Sequence, residues 1–177
     1  MHHAPRVHGL TPSTPVLFLD FDGVMHPYDP LAIEDNSRIA ADVGRFCWLP
    51  LLTYTLAEYP AVRIVVTSDW RHFSDDDKLR GFLGPLASRF AGSTGLASGF
   101  ARADYIQQVV KLQALEYWCA LDDDPSVRKA ALEEPRFVAC DSATGLSEPL
   151  VSAAMARWLQ RLPPWPSRNA AECGGDL

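Results

Sequence analysis

Two aspartates one residue apart, Asp20 and Asp22, are followed at once by Gly23 and stand directly behind the wholly apolar run Val16-Leu17-Phe18-Leu19. Carboxylates in that spacing can attack an electrophile, carry a proton or hold a hard cation. The glycine lets the backbone turn and approach a phosphate closely. A second acidic group, Asp122-Asp123-Asp124, follows the apolar run Tyr117–Leu121. Three consecutive carboxylates repel one another unless a cation sits among them. Magnesium takes oxygen ligands and keeps several waters, so it suits a sparse set of such groups. Asp124 is read as a solvated turn residue. Between the two acidic groups, Thr67 and Ser68 end the run Arg63–Val66 with hydroxyls that could cap a helix or hold a ligand. Asp75-Asp76-Asp77 is a further acidic run; with Ser74 as N-cap it reads as the first turn of a helix.

The elements that must position these groups are legible in the pattern. Short runs that are apolar at every position suit strands covered on both faces. Val16–Leu19, Arg63–Thr67, Tyr117–Leu121 and Arg136–Cys140 fit, and a weaker candidate lies near Ser88–Ala91. Helical patterns fill the gaps: one enters at Pro50, one follows Ser74, one includes Ile106, Val109, Val110 and Leu112, and one runs from Ser147 to Leu159. Alternating strands and helices predict an α/β fold with a central parallel sheet of about five strands and helices on both faces. In such sheets ligands bind at the carboxyl ends of the strands, where Asp20 would point into the crevice.

The chain has 177 residues, 47% of them apolar, which fits one domain with a sizeable core. Residues 1–15 are expected to form a flexible N-terminal arm without a secretory signal, and residues 16–162 the domain. Residues 163–177, rich in Pro, Gly and Ser, are expected to form a poorly ordered tail. No apolar run reaches the ~18 residues of a membrane span, so no membrane partner is expected. The four cysteines, Cys47, Cys119, Cys140 and Cys173, form no CxxC pair, and a reduced, cytoplasmic setting is expected. A net charge of −6 excludes a general affinity for nucleic acid but leaves room for a local cationic mouth.

Taken together, Asp20-Phe21-Asp22-Gly23-Val24, Thr67-Ser68-Asp69-Trp70-Arg71, an upstream cation and Leu121-Asp122-Asp123-Asp124 resemble the haloacid dehalogenase-like (HAD-like) phosphatases. The Asp-Gly-Val-x-His opening, Ser-Asp-Trp-Arg and Asp141…Gly145-Leu146 are similar, more narrowly, to the HAD domain of Swiss Army Knife RNA-repair proteins, over about residues 16–159. The resemblance implies a Rossmannoid three-layer sandwich and a magnesium-dependent phosphatase. It makes Asp20 the nucleophile, forming an aspartyl-phosphate, and Asp22 the group that protonates the leaving oxygen and then takes a proton from water. Thr67, or else Ser68, would hold the phosphoryl group. A cation before the last acidic motif would complete the site; Arg102 at a helix start is better placed than Lys111. Asp20, the main-chain carbonyl of Asp22 and one of Asp122 or Asp123 would hold Mg2+.

Residues 25–50 leave no room for a large cap domain, so the site is expected to be open and to admit a phosphorylated small molecule or a nucleic-acid end. His26, Ser68 and Arg71, with Arg38 further off, are the candidate substrate contacts. The competing reading is a non-catalytic or signalling phospho-aspartate or metal-binding domain. Receiver domains, however, place their acidic pair before the phosphorylated strand end and lack Asp-x-Asp-Gly.

Overall fold

The computed structural model describes residues 4–28, 44–95 and 100–164. Its strands are β1 (Arg6–Val7), β2 (Val16–Leu19), β3 (Arg63–Val66), β4 (Phe90–Ser93), β5 (Trp118–Asp122) and β6 (Phe137–Ala139). They form one sheet in the order β1-β4-β3-β2-β5-β6. The five strands β2 to β6 run parallel, as the sequence predicts, and β1 adds an antiparallel edge. The helices are α1 (Leu49–Leu56), α2 (Asp76–Phe82), α3 (Arg102–Leu112), α4 (Pro125–Ala130) and α5 (Pro149–Leu159).

The apolar strands carry two cores because successive side chains point to opposite faces. Leu17, Leu19, Ile64 and Val66 pack with Leu52 and Leu56 of α1, Leu79 of α2, and Val151 and Met155 of α5. Val16, Phe18 and Val65 pack on the other face with Ile106 and Val109 of α3 and Val127 of α4. Every residue of β2 is fully buried, and each large side chain so buried contributes about 1.5–3 kcal/mol. Three layers result, and no large cap domain is present among the described residues. None of their helices is long and apolar enough to cross a membrane. Cys119 and Cys140 are buried and unpaired, and Cys47 is exposed and unpaired.

Register decides where the chemistry sits. Leu19 of β2 lies opposite Val66 of β3 and Leu121 of β5. The next residue of each chain segment, Asp20, Thr67 and Asp122, therefore arrives at the same level of the sheet's carboxyl edge. Two ladder bonds carry this level forward: the Asp20 amide donates to Leu121 O at 3.1 Å and the Thr67 amide to Leu19 O at 2.9 Å.

Two expectations need correction. The first fifteen residues are not a free arm where described: Arg6 and Val7 pair with Ser93 and Gly92, and the His8 amide donates to Ala91 O at 3.0 Å. Gly92 permits this, since a Cβ there would lie 1.8 Å from Arg6 O. A two-residue strand lies below the length at which alternation can be recognised. Second, α2 is capped by Asp75, whose carboxylate accepts the Lys78 amide at 2.8 Å, rather than by Ser74. The proposed tail beyond Pro164 lies outside the described residues.

Gly92→Ala is expected to detach β1 and cost about 1–3 kcal/mol, because φ at Gly92 is +120° and the added methyl meets Arg6. Hydrogen exchange at the His8 amide should lose its protection while β2 amides keep theirs; unchanged protection at His8 would refute the pairing.

Candidate active site

Asp20, Asp122 and Asp123 each bring one carboxylate oxygen to within 4.8 Å of the others. Asp20 is 4% exposed and Asp122 fully buried. Burial in low dielectric and mutual repulsion penalise the charged form of such groups. Burial raises the Asp20 carboxyl, against the opposing pull of Arg102 and the Phe21 amide. Burial and then the Asp20 charge raise Asp122. The same two causes bring Asp123 to about 6.

What compensates is a ring of donors. Phe21 N–H donates to Asp20 Oδ1 at 2.7 Å and Ser68 hydrogen-bonds the same carboxyl group. The Thr67 hydroxyl donates to Asp122 Oδ2 at 2.9 Å and Asp124 N–H to Asp122 Oδ1 at 3.0 Å. Arg102, the first residue of α3, places Nη1 3.2 Å from both Asp20 Oδ2 and Asp122 Oδ2 and Nη2 3.0 Å from Asp69. Burial alone would lower the Arg102 pKa, but the carboxylates of Asp122, Asp20 and Asp69 together raise it. Lys111, in the last turn of the same helix, stands about 14 Å further along its axis at 1.5 Å per residue. Geometry thus brings Arg102, and not Lys111, to the aspartates.

Asp22 has a different environment. Trp70 Nε1–H donates to its Oδ2 at 2.8 Å, and His26 Nε2 lies 3.1 Å from its Oδ1. Its carboxylate is therefore not among the three clustered groups. Trp70 and His26 are themselves held by edge and tilted contacts with Phe21, Phe46 and Phe82. The turn after Asp22 lies against the other acidic segment: a Cβ on Gly23, where φ is +68°, would sit 2.2 Å from Asp123 Oδ2. Only glycine permits that approach.

Among the remaining candidates, Arg71 is 4% exposed; its Nη1 donates to Thr67 O and, at 3.1 Å, to Asp69 Oδ1. Asp124 caps α4, accepting the Ser126 amide at 2.8 Å, which fits its reading as a turn residue. Arg38 lies outside the described residues. The structure gives contacts at the site to Asp69 and Trp70, which the sequence reading quoted as part of a motif without assigning them a role. Both fall inside the Ser68–Arg71 segment, but nothing in spacing alone aims Asp69 at two arginines or Trp70 at Asp22. Tyr28 is a third addition: burial and the charges of Asp22, Asp123 and Asp69 raise its phenol.

A parallel sheet with clustered aspartates, hydroxyls and an arginine at its carboxyl edge is an arrangement suited to phosphoryl transfer. The family of HAD domains in Swiss Army Knife RNA repair proteins matches residues 16–151. The chain belongs to that family, and membership points to a HAD-type hydrolase. No curated protein and no solved structure matches it.

The donor set fits a divalent cation: all three ligand atoms are hard carboxylate oxygens, and Arg102 pairs with two of the three groups. Because the native pKa values lie above the unfolded ones, the native chain binds more protons than the unfolded chain above about pH 4. Its stability therefore falls as pH rises through about 6 for Asp123 and about 8 for Asp122, and the raised Asp20 carboxyl acts in the same direction. The metal-free chain should melt at a lower temperature at pH 8 than at pH 5. Saturating magnesium should restore about 2.7 kcal/mol at a hundredfold excess over Kd, with the larger gain at pH 8. Equal melting temperatures at the two pH values, with and without magnesium, would contradict the crowded-carboxylate account.

Proposed function

We propose that this protein is a magnesium-dependent phosphatase that works through an aspartyl-phosphate on Asp20 and acts on a phosphorylated nucleotide or polynucleotide end. The observation that carries the reading is the separation of two aspartates, with only Phe21 between them, into different environments. Asp20 is buried among donors and Arg102, whereas Asp22 is tied to Trp70 and His26. Two carboxylates set apart in this way suit a nucleophile and a proton carrier.

The steps balance on these residues. An Asp20 oxygen attacks phosphorus as the bond to the leaving oxygen breaks, and Asp22 gives that oxygen a proton. Water then attacks the acyl-phosphate, Asp22 takes its proton, and phosphate leaves with Asp20 restored. Arg102 lies 3.2 Å from Asp20 Oδ2 and can offset the repulsion between a phosphate dianion and the nucleophile. The hydroxyls of Ser68 and Thr67 flank the same point, and either can donate to a phosphoryl oxygen once turned from Asp20 or Asp122. Asp20, the Asp22 main-chain carbonyl, and Asp122 or Asp123 are the groups that would hold Mg2+. Bound there, the ion would neutralise charge on the phosphoryl group. The nucleic-acid end is the substrate class that the RNA-repair family and the absence of a large cap among the described residues support.

Magnesium-dependent release of phosphate from an aryl phosphate tests the chemistry. Asp20→Asn should lower kcat by at least about a thousandfold and abolish trapping by beryllium fluoride. Near-native turnover in this variant would require another nucleophile. A panel of 3′- and 5′-phosphorylated oligonucleotides, mononucleotides and sugar phosphates tests the substrate, and preference for a sugar phosphate would reject the nucleotide reading.

Trp70→Phe provides a separate check on Asp22. Trp70 orients the Asp22 carboxyl, and losing an orienting hydrogen bond costs about 0.5–1.5 kcal/mol. The variant should lose up to roughly tenfold in kcat on alkyl phosphates, whose leaving group needs a proton. It should lose little on a dinitrophenyl phosphate, whose leaving group does not. Equal losses on both would assign Trp70 a purely structural part.

A further inference from the structure

His26 stands on a loop that doubles back after β2. The Met25 amide donates to Phe21 O at 2.8 Å, and Asp22 and His26 form an isolated backbone bridge. The His26 side chain is buried. Its ring packs against two aromatic rings, with centroids 5.3 Å from Phe46 and 6.2 Å from Trp70. The two ring nitrogens meet unlike surroundings. Nε2 lies 3.1 Å from Asp22 Oδ1, whereas Nδ1 is buried and has no hydrogen-bond partner among the described residues.

A neutral imidazole carries one N–H and one bare nitrogen, and the bonds available decide which nitrogen holds the hydrogen. With the hydrogen on Nδ1, an N–H would be buried without an acceptor, and the Nε2 lone pair would face the lone pairs of a carboxylate. With the hydrogen on Nε2, the ring donates to Asp22 Oδ1 and leaves only a lone pair among the aromatic rings. The second arrangement is favoured on both counts. An indole N–H can only donate, and Trp70 Nε1–H reaches the other Asp22 oxygen, Oδ2, at 2.8 Å. Each Asp22 oxygen thus receives one donor from a packed ring, and rotating the carboxyl group about Cβ–Cγ would break both bonds.

We propose that His26 is a positioning residue for the proton-carrying aspartate: as the Nε2–H tautomer it holds Asp22 Oδ1, and with Trp70 it fixes the plane in which that carboxyl group meets the leaving oxygen. The inference rests on the phosphatase reading for what Asp22 does, but not for the tautomer of His26. It assigns His26 to Asp22 rather than to the substrate, because Nε2 is engaged and the rest of the ring is enclosed. Packing and polarity act together here: Phe46 and Trp70 set the direction of the ring, and the ring sets the direction of the carboxylate.

The test compares the wild-type chain, His26→Phe, His26→Gln, and the double variant of His26→Phe with Trp70→Phe, on an alkyl phosphate and a dinitrophenyl phosphate. His26→Phe keeps a ring and loses the donor, while His26→Gln brings an amide N–H near the place of Nε2. On the alkyl phosphate His26→Phe should lose about fivefold in kcat with KM unchanged, the effect of one orienting hydrogen bond, and His26→Gln should recover most of it. Both should stay near wild type on the dinitrophenyl phosphate. In the double variant the alkyl-phosphate loss should fall short of the product of the single losses, since either deletion already frees the carboxyl group. Equal losses on the two substrates, losses that multiply, or a His26→Gln chain as slow as His26→Phe overturn the proposal. Nitrogen-resolved NMR of the His26 ring in the metal-free chain requires no turnover. Nε2 should carry the hydrogen, Nδ1 should be bare, and the Nε2 hydrogen should exchange with water faster in Asp22→Ala. The opposite tautomer, or exchange unchanged by Asp22→Ala, overturns the proposal whether or not any phosphate is hydrolysed. The expected tautomer in a chain without phosphatase activity supports the hold of His26 on Asp22 and rejects the phosphatase reading alone.

Discussion

Crowding of negative charge at the carboxyl edge of the sheet is the constraint to which the rest of the site answers. Asp20, Asp122 and Asp123 share a space 4.8 Å across, and two of them are almost wholly removed from water. Burying an unpaired charge costs several kcal/mol even after relaxation, so each oxygen must be answered. Backbone amides at Phe21 and Asp124, the hydroxyls of Thr67 and Ser68, and the single guanidinium of Arg102 do this. Arg102 is itself buried, and Asp69 holds its outer face. The resulting network gathers three hard carboxylate oxygens that could hold a metal ion.

The second constraint is that Asp22 stay apart from this cluster although only Phe21 separates it from Asp20. The turn at Gly23 and the packing of Phe21 against Phe46, Trp70 and Phe82 achieve this. Phe21 is fully buried in the same core as Leu17 and Leu19, so it anchors the loop between the two aspartates to the helix layer. The aromatic wall then presents Trp70 Nε1 and His26 Nε2 to the two Asp22 oxygens. Hydrophobic packing on one side of the loop thereby sets the orientation of a polar group on the other.

Arg71 ties together the turn that follows β3. Its guanidinium is buried over the Tyr105 ring at 5.5 Å and pinned by Thr67 O and Asp69. A cation fixed in this way cannot swing, and it holds the Thr67–Asp69 turn in one conformation.

The sequence by itself determined the five parallel strands, the place of Asp20 and Asp22 behind the first of them, and Arg102 at a helix start. It could do so because unbroken apolar runs report double-sided burial, and because a strand's last residue is fixed by where the run stops. It left Asp122 and Asp123 equivalent, and the structure distinguishes them: Asp122 is fully buried and bonded to Thr67, while Asp123 lies against Gly23. It also passed over β1 and gave Asp69 and Trp70 no role. A two-residue edge strand carries too little pattern, and its pairing depends on a close approach at Gly92 that spacing does not encode. Which side chains of the Thr67–Arg71 turn face the clustered aspartates and which face Asp22 follows from the turn's path above β3 and its packing against Phe21 and Phe82. Only tertiary structure could decide that, because the contacts join residues nearly fifty positions apart, and short-range periodicity is blind to them.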